Sequence, residues 1–299
     1  MQWNGAGAAE IPQPHSDSMT SVTGAIRSQR ASQSRTIARL FRILQVIVLS
    51  EFKLKYAGSA LGYLWSVVKP LSLFTVLYLV FGRIFELDEL SAFYPLALLI
   101  GIVLFSFFSD ATSQGMVSLV HRESLLRRLR FPRMVIPTAA TLTAAMTFGV
   151  NLLVVAGFLV WQGVVPQLEW LLLVPLLLEL YMFTLGMALI LTTIYVSLRD
   201  MGQVWELGVQ LLFYATPIVY PVSYLPPWAR DLAFLSPFTQ VLQDVRALVL
   251  YDDTSGMTTT AGEALGPFGR LLPIAITLVV FGFGVALFKR YEPWFAERT

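Results

Sequence analysis

Six stretches of mostly apolar sequence constrain this chain before anything else does. A helix needs about 20 such residues to cross the hydrocarbon core of a bilayer. The stretches are Gly62–Phe85, a segment beginning at Phe93, Met134–Trp161, Trp170–Leu198, Val204–Tyr220 and Leu271–Phe288. The second is apolar to Phe108 and then turns polar through Asp110, Thr112, Ser113 and Gln114, still within helical reach. The fifth is the shortest. Charged residues make up 13% of the chain and hydrophobic ones 56%, against about 25% and 45–50% in a soluble domain. So little charge cannot cover a water-facing surface. The expected fold class is all-α integral membrane, with six transmembrane helices, an N-terminal interfacial amphipathic helix and two short outer-side helices before the last span.

Orientation follows from Lys and Arg, which gather on the cytosolic side. With the N-terminus inside, sixteen of the 21 basic residues are cytosolic and four are outside, Lys69 lying within the first span. The inverted topology reverses that ratio and is rejected. Both termini are expected in the cytosol of a multi-pass protein of the bacterial plasma (inner) membrane.

The segments between spans carry the remaining information. Residues 1–35 are rich in Gly, Ala, Ser and Gln, without the apolar core of a signal peptide, and read as a disordered cytosolic tail. Residues 36–57 hold Ile37, Phe41, Leu44, Val48 and Phe52 at helical spacing, with Arg39, Arg42 and Lys53 mostly opposite. That is a basic amphipathic helix lying in the interface, or a plain anchor to anionic lipid. In the loop of about 120–133, Leu125, Leu126 and Leu129 form a short stripe among Arg127, Arg128 and Arg130, and Pro132 ends the helix. A docking surface and a solvated basic loop both fit. Arg199-Asp200 makes a very short turn between spans four and five. Residues of about 222–250 hold two short helices, Pro227–Leu235 and one opened by Ser236-Pro237, a favourable start. In the second, Val241, Leu242, Val245, Leu248 and Val249 stand opposite Gln243, Asp244 and Arg246. The pair is expected to dip into the interface or re-enter the membrane, and backbone of this kind at membrane depth needs protein or a water cavity around it.

Much chemistry is excluded. The chain has no Cys and two distant histidines, His15 and His121, so disulfides and Cys- or His-based metal sites have no basis. No GxxxxGK[ST] phosphate loop, HExxH or GxSxG motif occurs. The acids near or within spans are Asp110, Glu169, Glu179 and Glu206, with Glu179 the most central. A proton-coupled carrier uses such a group, but so does a bundle that merely hydrogen-bonds it, and no internal repeat supports the carrier.

Set in order, several short blocks resemble the transmembrane permease subunit of polysaccharide-exporting ABC transporters (the Wzm type, serving O-antigen, capsule, teichoic acid and galactan export). They are Glu51-Phe-Lys-Leu-Lys-Tyr56, Gly58-Ser-Ala-Leu-Gly62 with Trp65 and Pro70, and Val80-Phe-Gly82. Arg130-Phe-Pro-Arg133 with Pro137, Arg199-Asp200 and Phe213-Tyr-Ala-Thr-Pro217 follow, then Tyr220-Pro221, Pro226, Glu292-Pro293 and Phe295-Ala-Glu297. Ser236-Pro237 stands where that family is expected to carry Asn-Pro. The resemblance covers about residues 36–299.

It implies a six-span exporter domain over 58–299, a gate helix over 36–57, and a homodimer served by two copies of a separate ABC ATPase subunit. The chain itself is then a non-enzymatic transport subunit with no cofactor, ATP and Mg being held by the partner. Its other partners are membrane lipid and a polyprenyl-pyrophosphate-linked glycan; nucleic acid has no place. Arg39, Arg42, Lys53 and Lys55 are the residues expected to attract the anionic head group, Arg being suited to phosphate. Trp65, Phe74, Tyr78, Phe213, Tyr214 and Tyr220 are the candidate aromatic faces for a passing sugar chain, with an interfacial belt as the competing role. Leu125, Leu126, Arg127, Arg128, Leu129, Arg199 and Asp200 are the candidate ATPase-coupling residues. An ABC permease for a drug or small lipid is the main alternative, followed by the Glu179 carrier and by an intramembrane polyprenyl-phosphate glycosyltransferase. No catalytic residue and no metal ligand is expected.

Overall fold

The computed structural model describes residues 42–54, 62, 64–89, 91–122, 132–251, 258–266 and 268–295. Gln45–Thr299 forms one compact body, and Met1–Leu44 is a separate unit. The tail expected over 1–35 lies outside the described residues. The elements are α1 (42–54), α2 (Leu64–Leu77, continued by a π-helical stretch Tyr78–Ile84), α3 (Tyr94–His121), α4 (Val135–Trp161) and α5 (Leu173–Ser197, preceded by a 3-10 turn Leu168–Leu172). After them come α6 (Met201–Ala215), α7 (Pro227–Phe234), α8 (Pro237–Val249), α9 (Ala261–Leu265) and α10 (Leu271–Tyr291). No strand occurs among the described residues.

Among the described residues five helices are long and apolar enough to cross a membrane: Leu64–Ile84, Tyr94–His121, Val135–Trp161, Leu168–Ser197 and Leu271–Trp294. The polar turn of sequence after Phe108 does not interrupt α3, which runs on through Asp110 and Gln114 to His121. The stretch expected as a fifth span is different. It is helical only over the fifteen residues of α6, about 22 Å at 1.5 Å per residue. Pro217 is the reason. A residue before proline is pushed out of the helical region, and Thr216 sits extended at φ −83°, ψ 137°.

α3 is the hub of the body, with most of its side chains buried and α2, α4, α5, α6 and α8 packed round it. α10 lies against α5, and the two backbones meet at glycines. A Cβ on Gly186 would come within 2.7 Å of the Phe281 Cα. Leu153, Val160, Leu178 and Val279 are more than half exposed on the outer faces, the distribution expected when the solvent is lipid. Several buried threonines are satisfied within their own helices. The hydroxyls of Thr112, Thr143, Thr184 and Thr193 each donate to the carbonyl four residues back, at 2.7–2.9 Å.

α8 departs from its amphipathic pattern. Its apolar face is buried, and so are Gln243, Asp244 and Arg246, at 0%, 1% and 0% exposure. The helix is inserted among α3, α5 and α10, so its polar face meets protein, not an aqueous interface. Pro237 stands at the helix start, but the Ser236 side chain makes no capping bond.

Candidate functional site

A cavity of about 660 Å³ opens between α2, α3, α4 and α6. Its polar wall comes mainly from α3. Ser106, Asp110 and Gln114 recur at four-residue spacing and so share one helix face, with Ser109 beside them. α4 adds Thr147 and Asn151, again four apart, and α6 adds Gln210. Lys69 of α2 lies 3.9 Å from Asp110, with side chains 83% and 37% exposed. A charge in lipid is costly, and this pair is accommodated because it faces the cavity. Asn151 is 6% exposed and its carbonyl oxygen Oδ1 is buried without a hydrogen-bond partner.

Three of the six candidate aromatics line this groove: Trp65, Phe213 and Tyr214. Trp65 and Tyr214 are exposed in it, at 57% and 67%. Phe213 is nearly buried, its ring edge-on to Phe105 at 5.2 Å. The other three stand elsewhere. Phe74 is stacked on Tyr78 at 5.8 Å and meets Phe158 of α4 edge-on. The Tyr78 hydroxyl donates to Asp88 at 3.4 Å, and Arg83 lies over its ring. The Tyr220 hydroxyl donates to the carbonyls of Tyr214 and Ala215 at 3.1 and 3.3 Å, closing the end of α6. The orientation of α6 on α3 is fixed by Trp205, whose Nε1 donates to Thr112 Oγ1 at 3.2 Å.

Of the four candidate head-group residues, Arg42 and Lys53 are exposed on α1, and Arg39 and Lys55 lie outside the described residues. Val48 of α1 is buried and Phe52 half-buried. An acid on that helix does what its basic residues do not. Glu51 forms an ion pair with Arg122 at the end of α3 and accepts from Thr143 Oγ1 of α4 at 3.4 Å. The coupling candidates Leu125, Leu126, Arg127, Arg128 and Leu129 lie outside the described residues. Arg199 and Asp200 form an exposed turn before α6, with Arg199 over the Tyr195 ring at 5.4 Å. Beside the 132–135 segment, Arg133 N donates to Glu292 Oε1 at 2.9 Å, tying the start of α4 to the chain end.

The prolines after α6 leave backbone carbonyls without helical partners, and Arg246 of α8 takes them. It donates to Ala97 O, Pro217 O and Ile218 O at 2.7–3.0 Å. Close by in sequence, Asp244 accepts from Gln240 Nε2 at 2.8 Å and pairs with Arg270 at 3.1 Å. Glu179 does not line the groove. No group of three or more His, Cys, Asp or Glu able to hold a metal occurs among the described residues.

Sequence reasoning did not single out Asn151 or Gln210, and it gave Gln114, Glu51, Arg246 and the Lys69–Asp110 pairing no place in the site. The signal for the groove was present in the four-residue repeat of polar side chains inside apolar spans. The signal for Glu51 was its place as a lone acid on a basic helix.

A family model described as ABC-2 type transporter matches residues 42–250, a segment that contains every groove residue. The chain is 28% identical over 212 residues to the O-antigen export system permease protein RfbA of Klebsiella pneumoniae, covering 71% of this chain and 81% of that one. It is likewise 28% identical over 208 residues to the protein of the same name from Myxococcus xanthus, covering 69% and 79%. To the polysialic acid transport protein KpsM of Escherichia coli it is 22% identical over 255 residues, covering 83% and 93%.

Proposed function

The chain belongs to the ABC-2 type transporter family, and from that premise we propose that it is the membrane-spanning permease subunit of an exporter of lipid-linked polysaccharide. The observation that carries this reading is the lining of the groove. Sugars are bound by aromatic faces together with hydroxyl and carboxamide groups, and the groove holds Trp65 and Tyr214 beside Ser106, Gln114, Asn151 and Gln210. A drug or small lipid would leave most of these polar groups without partners.

In this reading α6 and the extended residues after it complete a sixth crossing, and both termini are cytosolic in a bacterial inner membrane. Two copies face each other so that their grooves form one path. A separate ABC ATPase, also in two copies, docks on the cytosolic side and holds ATP and Mg. It acts through the 125–129 stripe and the Arg199-Asp200 turn. Arg39, Arg42, Lys53 and Lys55 meet the pyrophosphate head group of a polyprenyl-linked glycan.

The test is co-purification with the ATPase encoded beside it, then ATP hydrolysis in lipid nanodiscs with and without lipid-linked glycan. A stable two-plus-two complex whose hydrolysis responds to the glycan is expected. A chain that folds intact but holds no ATPase would overturn the proposal.

A further inference from the structure

We infer that the polymer drawn through this groove is an uncharged polysaccharide and not an acidic one, a refinement that rests on the export reading above. Family membership leaves the question open, since one relative is named for transport of polysialic acid. The groove's own charges answer it. Among the described lining residues there is one cation, Lys69, and one anion, Asp110. They lie 3.9 Å apart and offset each other. A second copy related by two-fold symmetry repeats the same wall, so the doubled path is again neutral.

An acidic polymer would bring a negative charge to membrane depth with every repeat. Removing such a charge from water is compensated only by fixed cations or dense donors. The only lining cation among the described residues is already neutralised by its neighbour. The uncharged part of the wall has the complementary preference. A sugar hydroxyl both donates and accepts, whereas an ionised carboxylate or phosphodiester has only lone pairs to offer. Ser106, Ser109, Gln114 and Gln210 donate and accept equally, which suits a chain of hydroxyls moving past in changing register.

The experiment begins in the cell that carries this chain. The chain is depleted, the lipid-linked polymer that accumulates inside is collected, the pyrophosphate is cleaved with mild acid, and the freed glycan is passed over an anion exchanger. An unretained polymer is expected. A retained, acidic polymer would overturn the inference while leaving the export reading intact. No accumulated polymer would remove the export reading and the inference with it.

A second arm uses the sign of the charge. Lys69→Gln and Asp110→Asn each leave one uncompensated charge, of opposite sign, in the groove. For an uncharged cargo the two variants lower export alike. Export that falls about tenfold further in Lys69→Gln than in Asp110→Asn, with the complex assembled in both, shows a cation holding an anionic cargo and overturns the inference.

Discussion

Arg246 brings a guanidinium into a place with no exposed surface, where it donates to backbone carbonyls. Its planar fork serves three of them at once, one on α3 and two in the proline-broken stretch after α6. Arg246→Ala leaves the Pro217 and Ile218 carbonyls bare, and a loss of about 3–5 kcal/mol is expected, read as thermal unfolding of the purified protein. Arg246→Lys recovers less than half of it, since an ammonium lacks the fork. Gly101 is the floor beneath that side chain: a Cβ there would stand 2.8 Å from Arg246 Nη2 and 2.9 Å from Ile218. Gly101→Ala is expected to cost about 1–3 kcal/mol by overpacking. The sequence shows Arg246 only as part of the polar face of an amphipathic helix. Periodicity separates polar from apolar positions, but it does not say whether the polar side meets water or a neighbour's carbonyls.

At the scale of elements, the bundle depends on close helix approach and on one ion pair. α5 and α10 cross where Gly186 and Gly284 remove side chains, and small residues at such crossings let packing replace the missing hydrophobic drive between helices in lipid. Gly186→Val is expected to abolish a monodisperse protein in size-exclusion chromatography, whereas Gly149→Val, where a Cβ meets nothing within 4 Å, leaves it unchanged. α1 is tied to α3 and α4 by Glu51. Glu51→Arg is expected to cut export severely, and the pair Glu51→Arg with Arg122→Glu to restore a good part of it. A double-mutant cycle showing no coupling between the two would refute that role. The five long helices were legible because apolar length is itself the physical requirement for crossing. The early stop of α6 was not, because its apolar run continues past Pro217 and composition hides the break.

For the molecule as a whole, in the proposed reading, the groove sets what can pass. Ser106→Trp narrows it from the α3 wall. Export is expected to fall about tenfold or more as the passing chain loses room to orient, while assembly with the ATPase and its basal hydrolysis persist. Normal export by that variant would place the pathway elsewhere. The wall was half legible: its polar residues stand out in the spans, but only packing shows that Trp65, Phe213 and Tyr214 join them while Phe74, Tyr78 and Tyr220 turn to other tasks. The brevity of α6 has one more consequence. At about 22 Å it falls roughly 8 Å short of a hydrocarbon core of about 30 Å, and α6 is itself one wall of the groove. In the proposed sixth crossing the remaining depth is left to backbone after Thr216 that makes no helical ladder, and two of its carbonyls find their donors on Arg246. That crossing is then closed by a side chain from another helix, so its completion waits on the insertion of α8.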